Sequence, residues 1–257
     1  MPKITTIIPT YHRPDLLARA IKSVQLQEFE DWECIIFSDH CPKASLVYEN
    51  YFKNDSRIIF VENPNKWIKN VGAVGVNYGL ENANSDIITY LCDDNIFLPN
   101  HFRVIYEEHQ KGQFDYISTS GFHFHLGNGN FLIKEIINKG LENELNLLYY
   151  NRDEEAVNFI TKYPDMLRIA HSIEKVVNKI GYWLPWEENP MGFKEDTEFM
   201  QRLGTAFKKI DLDDLTNVYY SRNACQTRDE DYHEKVVNLA KNEIFVYPEQ
   251  VENDLSI

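Results

Sequence analysis

The sequence has no C-x-x-C pair, no long apolar run and no excess of positive charge, and each absence removes a class of protein. The four cysteines, Cys34, Cys41, Cys92 and Cys225, read as free thiols of a reducing compartment rather than as a disulfide framework. No apolar run approaches the ~18 residues that a bilayer span requires. Met1-Pro2-Lys3-Ile4 leads straight into a strand-like run, without the apolar core of a signal peptide. The expectation is a cytoplasmic protein with no transmembrane segment. Lys and Arg number 26 against 40 Asp and Glu, a formal net charge of −14. That balance argues against nucleic-acid binding, which needs basic patches to neutralise phosphates, and against tight docking on an anionic membrane. Internal repeats, low-complexity tracts and clear linkers are also missing, so one continuous domain is expected.

What is present is a 43% hydrophobic fraction with 15 Tyr and 15 Phe, enough for a sizeable core and for surfaces that stack on flat ligands. The first hundred residues alternate strand and helix patterns. Ile4–Ile8 is a β-branched run closed by Pro9 and reads as a buried strand. Pro14 opens a helix to Gln27 with Leu16, Leu17, Ala20, Ile21 and Val24 on its apolar face. Strands are predicted over Trp32–Phe37, Arg57–Val61, Asp86–Leu91 and Phe114–Ser120. Between them, helices are predicted over Leu46–Phe52, Gly72–Asn82 and Pro99–Gln110. A βαβα order implies an α/β fold with a mostly parallel sheet covered by helices, and ligands in such sheets bind beyond the carboxyl ends of the strands. Those ends carry Pro9-Thr10-Tyr11, Ser38-Asp39-His40 and Cys92-Asp93-Asp94-Asn95. Further on, Gly121–Lys134 reads as a hairpin around Gly127-Asn128-Gly129, Glu195–Leu203 as a helix, and Tyr219–Glu230 as a charged loop.

The sharpest chemical feature is Asp93-Asp94, directly after a buried strand and ahead of Pro99. Adjacent carboxylates repel unless something positive sits beside them. A hard divalent cation, Mg²⁺ or Mn²⁺, takes such oxygen ligands and keeps positions open for phosphate oxygens. The plainer reading is that one of the two acids caps the helix at Pro99. Glu195-Asp196 opens a later helix, where acids complement the dipole; in a catalytic reading Asp196 accepts a proton from an attacking hydroxyl. Gly72-Ala73-Val74-Gly75-Val76-Asn77-Tyr78-Gly79 is not G-x-G-x-x-G, so its glycines read as small residues for tight helix–sheet packing. His123 and His125 lack further ligands at metal-binding spacing.

Together these segments resemble the GT-A fold glycosyltransferases of family 2, over about residues 3–103 and again over about 168–203. Ile4–Tyr11 with Arg13-Pro14 and Leu16-Leu17 is similar to that family's opening strand and loop. Asn77-Tyr78-Gly79-Leu80 and Ala83-Asn84-Ser85-Asp86 resemble its N-x-G-(I/L)-x-x-A-x-G-(D/E) stretch. Asp93-Asp94-Asn95 with Ile96 and Pro99 resembles the spore-coat polysaccharide branch, and Ile180-Gly181-Tyr182-Trp183 and Glu195-Asp196 resemble later elements. Three positions depart from the family pattern: His12 stands for its Asn, Ser38 for the first acid of the pair after the second strand, and Cys92 for the first acid of D-x-D.

The resemblance implies a Rossmann-like, mostly parallel central sheet with helices on both faces and a smaller acceptor-side β/α region. It implies a nucleotide-sugar-binding half over residues 1–120 and an acceptor half with a tail over 121–257. The donor is a nucleotide-diphosphate sugar, a UDP- or dTDP-sugar, and the acceptor a glycan or other hydroxyl. The implied nucleotide-sugar contacts are Thr10, Tyr11, Arg13, Asp39, Asn77, Asp93, His171, Ser172 and Glu195. Asp94 with Asp93 would hold Mn²⁺ or Mg²⁺, and Asp196 would be the base of an inverting transfer in polysaccharide or glycan synthesis. Tyr220–His233, with Arg222, Arg228 and His233, reads either as a lid over the diphosphate or as a solvated loop. The rival readings are a non-catalytic carbohydrate-binding protein, which needs neither Asp196 nor the metal pair, and a sugar nucleotidyltransferase, which needs a glycine-rich basic loop after the first strand.

Overall fold

The computed structural model describes residues 1–63, 71–112, 115–125, 159–161, 166–185, 188 and 195–221. The chain divides into two compact units, one of residues 1–121 with 162–217 and a second of 122–161 with 218–257.

In the first unit, β1 (Ile4–Thr10) pairs in parallel with β2 (Trp32–Ser38) on one side and β4 (Ile87–Tyr90) on the other; β3 (Ile58–Glu62) lies parallel beyond β2. The remaining strands are β5 (Ile96–Phe97), β6 (Tyr116–His125), β7 (Phe159–Thr161), β8 (Ile169–Ser172) and β9 (Lys209–Ser221). The order is β3-β2-β1-β4-β8-β6-β9-β5, with β7 paired to β6. β8 runs antiparallel to both β4 and β6. Of the second unit, the described residues are the outer end of β6, β7 and the last residues of β9.

The helices are α1 (Pro14–Gln25), α2 (Pro42–Val47) continuing as a π-turn over Tyr48–Phe52, α3 (Val71–Asn82), α4 (His101–Gln110), α5 (Ile173–Ile180) and α6 (Glu195–Ala206). Proline sits at the first turn of α1 and of α2, where its missing N–H is not needed and its fixed φ suits the helix. Pro42 therefore starts α2 ahead of the predicted Leu46. β1 and β2 are buried along almost their whole length, as expected of strands covered on two faces. α3 packs on β1 at van der Waals contact: a Cβ at Gly79 would lie 2.6 Å from the Ile7 side chain. The glycine-rich stretch is thus packing chemistry, as its spacing indicates. Ile7, Val76, Leu80, Ile88, Tyr90, Ile169, Trp183 and Phe199 form a continuous core that joins the sheet to α3 and α6.

Pro9 does not close β1; the strand runs on to Thr10. Ile7 C=O accepts from Leu91 N–H and Thr10 C=O from Asp39 N–H, so the backbone groups of residues 7 and 9 face β4 and those of residue 10 face β2. At Pro9 β4 has already ended, and the missing N–H costs no ladder bond. β6 extends to His125 rather than stopping at Ser120. The turn predicted at Gly127–Gly129 lies outside the described residues.

Candidate functional site

Register decides what meets at the carboxyl edge of the sheet. Thr10 pairs with Ser38, and Ile7 with Tyr90, so the loops after β1, β2 and β4 leave side by side. Thr10, Tyr11 and Arg13 therefore face Asp93 and Asp94. Asp93 Oδ2 accepts from Thr10 Oγ1 at 2.8 Å and from Tyr11 N–H at 3.4 Å. Arg13 Nη1 lies 2.9 Å from Asp93 Oδ1 and 2.9 Å from Asp94 Oδ2. Arg19, one turn and a half along α1, donates from Nη2 to the Asp94 carbonyl at 2.6 Å. Burial pushes the Asp93 carboxyl above the usual carboxylate range and Asp94 pushes in the same direction; Arg13, Thr10 and the Tyr11 amide pull against them. The positive partner that the acid pair requires is supplied here by the protein itself. The capping alternative does not hold: α4 starts at His101 with Asn100 as its N-cap, and neither aspartate caps it.

Asp39, after β2, is fully buried. Its Oδ1 accepts from Asn63 Nδ2 at 2.7 Å, while no donor among the described residues reaches Oδ2. A buried carboxylate oxygen left without a donor costs about 1–3 kcal/mol or more, which a ligand N–H would offset. His12 and His40 flank this place in left-handed backbone conformation, at φ 53° and 49°. Strain of this kind gathers at ligand-binding turns. Asn63 and Arg19 escape the sequence reading, because neither belongs to a local pattern; only the third dimension brings them to the acids.

α3 connects β3 to the parallel β4, so its N-terminus lies at the carboxyl edge. Glu195 Oε2 accepts from Ala73 N–H in the first turn of α3 at 2.9 Å. A Cβ at Gly72 would come within 2.9 Å of that same oxygen, so a larger residue would displace the carboxylate. This contact brings Glu195 and Asp196 to the edge that carries Asp93 and Asp94. Asp196 Oδ1 accepts from Thr197 N–H at 2.7 Å and from Thr197 Oγ1 at 3.3 Å. Asn77 forms a reciprocal pair with the Trp183 backbone, both bonds at 2.9 Å; it clamps α3 to the 181–183 segment. Arg202 reaches the carbonyls of Ile180 and Tyr182 and pairs with buried Glu198, tying α6 to the same segment.

Two residues fall elsewhere. His171 and Ser172 were expected to line a sugar pocket, but β8 runs antiparallel to β4 and sets Ser172 opposite Ile87 and His171 opposite Ile88. Ser172 is thereby carried to the amino edge, where it caps α5 by accepting from Lys175 N–H at 3.1 Å and donates to Asp86 Oδ1 at 2.7 Å. His171 is buried with Nε2 2.7 Å from Tyr90 Oη and its ring near Phe199; burial pushes it down to about 4, so it stays neutral. In this structure both side chains are engaged within the fold. His123 and His125 lie on β6 with side chains outside the described residues. Of the Tyr220–His233 segment, Tyr220 and Ser221 belong to β9 and the rest lies outside the described residues.

Among the described residues no three His, Cys, Asp or Glu side chains cluster as a metal cage, and no helix is long and apolar enough to cross a membrane. One or two carboxylates suit an ion that completes its shell with water and substrate phosphate. Asp94 and Asp93, oxygen donors at a strand's carboxyl end, fit such an ion.

Comparison with known proteins places these features. In solved structures the chain is similar to Staphylococcus aureus TarS 1–349 in complex with UDP-GlcNAc, with a TM-score of 0.63 and 12% identity over 93% of this chain and 66% of that one. It is also similar to the mannosyltransferase PcManGT from Pyrobaculum calidifontis in complex with GDP-Man and Mn²⁺, with a TM-score of 0.57, 12% identity, and 87% and 58% coverage. These likenesses show the GT-A fold. Among curated proteins it is 34% identical to the Campylobacter jejuni GalNAc(5)-diNAcBac-PP-undecaprenol beta-1,3-glucosyltransferase over 145 residues, 56% of this chain and 45% of that protein. It is 29% identical to the succinoglycan biosynthesis protein ExoW of Rhizobium meliloti over 160 residues, 56% of this chain and 47% of that one. The chain thus spans less than half the length of these curated relatives. The model of glycosyl transferase family 2 matches residues 5–180, and the chain belongs to that family.

Proposed function

We propose that the protein transfers a sugar from a UDP- or dTDP-sugar to a hydroxyl of a glycan or glycan precursor, with inversion, assisted by Mn²⁺ or Mg²⁺, in polysaccharide synthesis. The observation that carries this reading is the meeting, at one sheet edge, of a buried Asp39 oxygen that no described donor reaches and an adjacent acid pair whose charge Arg13 offsets in this structure. Asp39 Oδ2 is placed to accept a ring N–H, which uracil and thymine offer at N3 and which cytosine and adenine lack. Thr10 and Tyr11 hold Asp93, and Arg13 supplies a guanidinium for diphosphate oxygens. When bound at Asp94, the divalent ion would offset the charge that grows on the departing diphosphate.

Asp196 accepts the proton of the attacking hydroxyl. Glu195, anchored on α3, fixes the start of the helix that carries it. Holding donor and acceptor in line supplies much of the remaining rate. Residues 1–120 serve the donor and residues 121–257 the acceptor. The names of the curated relatives, two of them from glycan and succinoglycan assembly, support the acceptor class.

The test is incubation with UDP- and dTDP-sugars, Mn²⁺ and glycan acceptors, with the released product identified. Nucleoside diphosphate formed only with metal and acceptor is expected. Release of pyrophosphate would move the protein to nucleotidyl transfer, and carbohydrate binding indifferent to nucleotide and cation would make it a non-catalytic binder.

A further inference from the structure

We propose that Arg13 is a tethered counter-ion, which holds the Asp93–Asp94 pair in the resting protein and yields Asp94 to a divalent cation when the ion binds. The inference rests on the metal reading of Asp94 given above. A single atom, Arg13 Nη1, makes both contacts at 2.9 Å, so one positive charge sits between two carboxylates. Those carboxylate side chains are only 6% and 8% exposed. Adjacent acids buried to that degree are costly without a cation, and the resting protein carries its own. A divalent ion seated on Asp94 would lie within a few ångströms of the same nitrogen, where two cations repel. Arginine and ion therefore exclude one another.

The geometry also shows which partner leaves. Asp93 is held by Thr10 Oγ1 and the Tyr11 amide, and the Asp94 backbone by Arg19. None of these bonds depends on Arg13. The Arg13 side chain is 25% exposed, against 6% and 8% for the two acids, so it is the partner nearest to solvent. It can swing out while the acids stay in place. Its guanidinium then remains on the edge where a diphosphate would lie, and matches phosphate oxygens in geometry and charge. The site exchanges an internal cation for an external one, and keeps the displaced cation available for the substrate.

The experiment titrates the protein with Mn²⁺ alone, without nucleotide, and follows free Mn²⁺ by electron paramagnetic resonance. Arg13→Gln is expected to bind Mn²⁺ on the order of tenfold more tightly than the wild type, because the competing charge is gone. Arg13→Lys is expected to stay near the wild type, and Asp94→Ala to lose the site. Wild-type binding with an Arg13→Gln affinity that is equal or weaker overturns the exchange and leaves the metal reading standing. If the wild type binds no Mn²⁺ with or without UDP, the metal reading itself falls and this inference with it. A second measurement needs no variant: phenylglyoxal modification of Arg13, read by peptide mass, should become several-fold faster when Mn²⁺ is bound. An unchanged rate under saturating Mn²⁺ overturns the proposal.

Discussion

At the amino edge of the sheet, buried Glu33 has both carboxylate oxygens engaged by neutral donors. Thr5 Oγ1 at 2.7 Å and Asn84 N–H at 2.6 Å serve Oε1, and Asn84 Nδ2 at 2.9 Å serves Oε2. Asp86 on the same edge accepts from Ser172 Oγ and from the Glu174 amide. At the carboxyl edge, Asp39 keeps one buried oxygen that no donor among the described residues reaches, and Asp93 and Asp94 share one arginine. The first arrangement satisfies its acids within the fold and ties loops together. The second gathers two acids around one arginine and leaves an Asp39 oxygen that no described donor reaches, in a place where strand ends, a helix N-terminus and two left-handed turns converge. Buried acids alone do not mark a site; the carboxyl edge differs in an Asp39 oxygen that no described donor reaches and in two adjacent acids that share one arginine.

This contrast sets the order of expected effects. Asp196→Asn should leave donor binding intact and lower the rate of transfer roughly a hundredfold or more; near-normal turnover, measured under saturating donor, would remove Asp196 from the role of base. Asp39→Ala should weaken nucleotide binding by about 1–3 kcal/mol and blur the preference for uracil or thymine, which calorimetric titration with UDP and CMP would reveal. By contrast, Ser172→Ala on the amino edge should cost about 1 kcal/mol of stability through the lost cap and leave kcat and KM alone; a selective rise in KM for the donor would put Ser172 back beside the sugar.

The smallest effect concerns pH. Burial pushes His171 down to about 4 and His101 to about 3, against an ordinary value of 6.5. The unfolded chain takes up these protons before the native state does. Stability is therefore complete above pH 6.5 and is lost as pH falls from there towards 4 and 3. Each histidine contributes a slope of at most about 1.4 kcal/mol per pH unit. Urea midpoints at several pH values should trace that decline; a flat profile would show that the native rings take up protons as readily as those of the unfolded chain.

The parts of this account that follow from local patterns were legible in the sequence. The strand–loop–helix succession of the first hundred residues, the acid pair after β4 and the packing role of the glycines all rest on neighbours in the chain. Where sequence-distant pairing decides, the sequence is silent. The family resemblance sets His171 and Ser172 at a sugar pocket, but the antiparallel setting of β8 carries Ser172 to the amino edge and packs His171 against Tyr90. Pro9 reads as a strand end, and only the early end of β4 explains why β1 continues past it. Asn63 and Arg19 sit in unremarkable surroundings, and become visible only once β3 and α1 are folded against Asp39 and Asp94.

The central claim is that the carboxyl edge receives a nucleoside diphosphate together with a divalent cation. Thermal unfolding of the wild type and of Asp94→Ala, with UDP, dTDP, GDP, ADP and CMP, each with and without Mn²⁺, tests it most directly. A ligand at a hundred times its dissociation constant adds about 2.7 kcal/mol to the native state, a shift that unfolding curves resolve. UDP or dTDP is expected to raise the midpoint only with Mn²⁺, and Asp94→Ala to abolish the rise. A wild-type midpoint that no nucleotide moves, with or without metal, would contradict it.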